Sequence, residues 1–99
     1  MDILVAPQLA VPTANDAIER VNRWLHREVG MAVHAVTATF DPATFYWHVP
    51  IELAYATHGT LGVVGDLYLH AATGAFAGCP HPEEIIQRAE TLAAAHGID

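Results

Sequence analysis

The chain has 99 residues, 53% of them hydrophobic and only 15% charged, and its four arginines and eleven carboxylates give a formal charge of −7 without a single lysine. A chain of this length closes around one core rather than two. Its negative balance and lack of a basic stripe argue against nonspecific nucleic-acid binding, and no apolar run approaches the roughly 18–20 residues that span a bilayer.

The N-terminal stretch MDILVAPQLAVPTAND opens with an acid, lacks a basic segment and is interrupted by Pro7 and Pro12, so it does not read as a signal peptide. Residues 1–12 are taken as an N-terminal extension and residues 13–99 as a single α+β domain. A lone Cys79 can form no internal disulfide, which fits a reducing, cytoplasmic setting.

Thr13 and Asp16 resemble a capping box, and Ile18, Val21, Leu25 and Val29 recur at helical spacing until Gly30. The first element is therefore an amphipathic helix of about four turns. Arg20, Arg23 and Arg27 share a surface facing away from this stripe, a solvated face that is also the chain's best candidate for meeting an anion.

Residues 31–40 are mostly β-branched or small, and Asp41, Pro42 and Ala43 supply turn chemistry, which predicts a strand and a hairpin. In the next strand Phe45, Trp47, Val49, Ile51, Leu53 and Tyr55 point one way, while Tyr46, His48, Pro50, Glu52 and Ala54 point the other. Pro50 cannot donate to a ladder, so it belongs at an edge, at a bulge or on a side of the strand without a partner.

The stretch THGTLGVVGD is read as the next turn, with Gly62 and Gly65 marking a long or bulged connection. A third strand then sets Leu67, Leu69 and Ala71 against Asp66, Tyr68 and His70. Pro80 and Pro82 end the extended region, and Glu83 and Glu84 suit the start of a second helix. The buried stripe of that helix is expected to comprise Ile85, Ile86, Ala89, Leu92, Ala93 and His96, with Gly97 as the stop.

The predicted order is α-β-β-β-α, with two helices packed on one face of a three-stranded antiparallel sheet. The opposite face is then uncovered unless a second chain covers it, and so narrow a sheet gains from pairing. A homodimer joined through Tyr46, His48, Pro50, Ala54, Tyr68, His70 and Ala72 is the expected assembly.

The segment Val64 to Phe76, VGDLYLHAATGAF, together with the preceding helix and hairpin, resembles the small PepSY-like domains. Their sheet ends in a pattern like V-x-V-D-x-x-T-G-x-V; Leu67, Leu69, Thr73 and Gly74 match it, while His70 stands where aspartate is usual. The match spans residues 13 to 78. The resemblance implies a noncatalytic domain that binds or inhibits other proteins. The Thr73–Gly74 pair also has a local explanation, since glycine admits a positive φ and threonine can bond the turn backbone.

The polar side of the sheet carries a second expectation. His48, Glu52, Asp66 and His70 share a face, and one register of the first strand adds His34. Three imidazoles and two carboxylates would suit zinc or a similar transition metal, although no HExxH or paired CxxC accompanies them. Seven histidines also allow the net charge to respond to pH, since a free imidazole titrates near 6.5. Cys79 and His81 superficially suggest a nucleophile and base, but a proline-locked loop does not ordinarily present both groups to one substrate. No glycine-rich phosphate loop leads from a strand into a helix, and Trp24 and Trp47 read as core or interface anchors. The leading expectation is a noncatalytic, self-associating interaction module; the alternative is a small metal- or ligand-binding domain.

Overall fold

In the computed structural model, which describes residues 9–30, 32–55, 59–77 and 81–97, the first helix, α1 (Ala14–Glu28), begins where Thr13 caps it. The Thr13 hydroxyl oxygen accepts from the Asp16 backbone N–H at 3.2 Å and the hydroxyl donates to the Asp16 carboxylate at 2.8 Å, so Thr13 caps the helix as expected, with the Asp16 side chain on the cap hydroxyl in place of the backbone N–H of a full capping box. Ala17, Val21 and Leu25 are fully buried, with Ile18 and Val29 half-buried beside them.

The sheet has five antiparallel strands rather than the three expected: β1 (Val33–Ala35), β2 (Thr39–Asp41), β3 (Tyr46–Tyr55), β4 (Gly59–His70) and β5 (Phe76–Ala77). Both β1 and β2 pair with β3, β4 lies on its other side, and β5 pairs with β4. The expected first strand is thus broken in two, and Pro50 supplies the reason. Ala54 of β3 donates its N–H to Ala32, so the alternate residues of β3, Pro50 among them, direct their backbone groups toward the β1/β2 side. At Pro50 there is no N–H to offer, and residues 36–38 opposite it leave the ladder. The step from Ala35 to Thr39 takes one residue more than the step from Ile51 to His48 facing it, a bulge-like slip. Of the placements open to Pro50, the structure selects a side without a partner.

Between Asp41 and Tyr46 the chain turns through Phe45, which adopts φ 64° and is exposed instead of continuing β3 as expected. The Asp41 carboxylate accepts from the Ala43 N–H and the Thr44 hydroxyl, each at 3.0 Å, and fixes this turn.

The stretch 59–66, expected as a turn, is the first two thirds of β4. Two register shifts against β3, between Ile51 and Glu52 and between Leu53 and Ala54, accommodate its extra length. Glycines in this segment mark bulges inside a strand, not its absence. The fifth strand arises because the Thr73–Gly74 turn folds the chain back onto β4: the Gly74 N–H donates to the His70 carbonyl at 2.8 Å, the Ala75 N–H donates to the Thr73 hydroxyl at 3.2 Å, and Gly74 takes φ 77°.

Helix α2 (Pro82–Ala95) starts with Pro82 in its first turn and buries Ile85 and Ala93, with Ala89 and Leu92 half-buried. Ile86 and His96, expected inside, are exposed. Both helices pack on the face of the sheet that presents Val33, Val49, Ile51, Leu53, Val64, Leu67 and Leu69, forming one core. That core also takes in the segment ahead of α1. Val11 is fully buried, its N–H donates to Ala71, and its carbonyl accepts from the Trp47 indole at 2.9 Å.

Candidate functional site

The face of the sheet opposite the helices is built almost entirely from β3 and β4. Strand alternation puts Tyr46, His48, Pro50, Glu52 and Ala54 on it, and all five are half-buried by their neighbours alone. Direct pairing sets Tyr46 beside His70, His48 beside Tyr68 and Pro50 beside Asp66. The rings take up this register. His48 and Tyr68 stack at 4.9 Å with 17° between their planes, and His70 meets Tyr46 edge-on at 4.9 Å. Tyr68 remains 40% exposed, so the platform is open to contact.

One polar contact organises the centre. His48 Nε2 lies 2.8 Å from Asp66 Oδ1, with both side chains partly exposed. His70 is turned to a different task, its Nδ1 accepting the backbone N–H groups of Ala72 and Thr73 at 3.2 and 3.3 Å. His34 faces Glu52 in register, yet its ring lies 6.2 Å from that of His26 on α1, at the margin of the sheet. Of the five groups expected as a metal set, His48, Glu52, Asp66 and His70 share the open face, His34 turns toward α1 at its margin, and the five do not converge on one point. Among the described residues no group of three or more histidines, cysteines, aspartates or glutamates is arranged to hold a metal ion. Zinc has no support in this geometry, because closed zinc sites aim their ligands at a common centre about 2 Å from each.

Of the seven expected interface residues, Tyr46, His48, Pro50, Ala54, Tyr68 and His70 lie on β3 and β4 as anticipated. Ala72 does not: β4 has ended, and Ala72 lies in the following turn with its carbonyl accepting from Ala10. Val63 was missed. The bulge in β4 pairs it with Glu52 and so turns it onto the open face, where it is 58% exposed. Thr39 and Ala77 join the same face by pairing with His48 and Tyr68. Cys79 and His58 lie outside the described residues, so the Cys79–His81 pairing has no geometry here; His81 precedes α2 and is exposed.

The charges of this face are one-sided. All four arginines lie on the two helices, Arg20, Arg23 and Arg27 on α1 and Arg88 on α2, which leaves the open face only carboxylates and imidazoles. A separate concavity of about 390 Å³ lies between the end of α1 and α2, with Val33 and Leu53 as its floor and Ile86, Ala89 and Ala93 along one wall. Among the described residues no helix is long and apolar enough to cross a membrane. No family model matches the chain, and no curated protein or solved structure is detectably similar to it.

Proposed function

We propose that the chain is a noncatalytic interaction module of PepSY-like character that self-associates through the open face of its sheet. The observation that carries this reading is the one-sided packing: both helices cover the same side, and the other side presents the stacked rings of His48 and Tyr68, the Tyr46–His70 pair and Pro50 to whatever lies outside. Aromatic side chains of this kind lose little conformational entropy on contact and contribute large areas at interface centres. A two-fold arrangement would set the patch against its own copy, with the His48–Asp66 contact near its centre and Glu52 and Asp41 farther out.

Light scattering over a concentration series tests this. The wild-type chain is expected to pass from monomer to dimer with a dissociation constant on the order of micromolar, as befits a modest specific interface. Tyr68→Glu is expected to abolish the dimer while leaving circular dichroism and melting cooperativity intact, since Tyr68 is exposed on the open face. Leu69→Glu, one residue along and fully buried, is expected to unfold the protomer at a cost above about 4 kcal/mol. A strict monomer at around 100 μM, far above that dissociation constant, would overturn the proposal.

A further inference from the structure

The arginines of α1 converge on a feature that self-association does not use. Arg20, Arg23 and Arg27 line a cleft of about 140 Å³ together with Trp24 of α1, Gly74 of the turn and Phe76 of β5. Three of the four cations of a chain with a formal charge of −7 thus border one small concavity on the helix side of the molecule.

Arg20 donates to the Ala10 carbonyl at 3.3 Å and runs across Gly74, where an added Cβ would stand 2.9 Å from its Nη1. Arg27 uses its Nε on Glu28 at 3.0 Å, which leaves its terminal nitrogens without a described partner. No acid among the described residues pairs with Arg23. Trp24 and Phe76 stand 6.1 Å apart between centroids and give the cleft an aromatic side.

We infer that this cleft binds a phosphate monoester carried on an aromatic or apolar group. Guanidinium forks match phosphate oxygens in bidentate geometry, and a dianion gains more from three neighbouring cations than a single carboxylate does. The adjoining rings supply a surface for the ester group.

Nuclear magnetic resonance of the full chain at constant ionic strength tests the inference, with inorganic phosphate, phenyl phosphate and acetate as probes. Phosphate is expected to shift the Trp24 indole and arginine Nε signals saturably, with a dissociation constant of roughly 1 mM, and phenyl phosphate to saturate at lower concentration. Arg23→Gln is expected to weaken phenyl phosphate binding at least about tenfold, and Arg23→Lys to fall between, since it keeps the charge and loses the fork. Arg88→Gln, on the other helix, is expected to bind as the wild type does. The absence of a saturable shift up to about 20 mM phosphate, saturation by acetate at the same concentrations, or unchanged binding by both Arg23 variants would each overturn the inference. None of these outcomes depends on the oligomeric state, which light scattering reports separately.

Discussion

Asn22 shows how one polar side chain finishes the edge of the sheet. Its amide nitrogen donates to the Ala35 carbonyl at 3.0 Å, and its amide oxygen accepts the Ala35 N–H at 2.8 Å, so helix α1 satisfies both backbone groups that β1 turns away from β3. Such a clamp blunts an edge that would otherwise invite another strand. Asn22→Ala is expected to lower stability by about 1–3 kcal/mol in chemical denaturation, because a half-buried donor and acceptor both lose their partner. Thr13→Ala removes the helix cap and is expected to lower it by about 1 kcal/mol in the same measurement. The two residues differ in legibility. The Thr13–Asp16 box lies within one turn of chain and can be read directly, whereas the Asn22 contact joins positions 13 residues apart and depends on how the helix lies on the sheet. Phe45 was opaque for a related reason: its apolar side chain extends the alternation of β3, but its positive φ is set by the Asp41 turn and accommodated by ring contacts with Phe40 and His70.

Among elements, the helices and β3 were legible because their periods of 3.6 and 2 extend over ten or more residues. The number of strands was not. Pro50 leaves three placements open, at an edge, at a bulge or on a side without a partner, and the consequence of the one adopted, a break in the strand opposite, falls on residues 36–38, whose own composition is ordinary strand composition. The glycines of the segment 59–66 read as a turn, and only a long β3 to pair with makes them bulges within β4. Gly62 also lets α2 approach, since a Cβ there would meet the Leu92 Cδ2 at 3.2 Å. Gly62→Val is expected to destabilise the chain by about 1–3 kcal/mol through overpacking. Hydrogen exchange should then accelerate in α2 more than in α1, because α2 packs chiefly on β4.

At the scale of the whole molecule, the two-faced character follows from the distribution of charge and apolar surface. The helices carry every arginine and bury the core face, while the opposite face holds paired rings with Asp41, Glu52 and Asp66 around them. Most of that face could be listed from alternation in β3 and β4. Val63 could not, because the β4 bulge alone decides its side, and the failure of the histidines and carboxylates to converge was equally hidden, since sharing a face says nothing about where each ring turns. His70 serves its turn and His48 serves Asp66. The proposed self-association through this face is measured most directly in an equimolar mixture of isotope-labelled and unlabelled chains by isotope-filtered nuclear Overhauser spectroscopy. Intermolecular signals among the ring protons of Tyr46, His48 and Tyr68 are expected. Their absence at a concentration where scattering reports a dimer, or signals arising instead from Ile86 and Ala89 beside the cleft between the helices, would contradict self-association through this face.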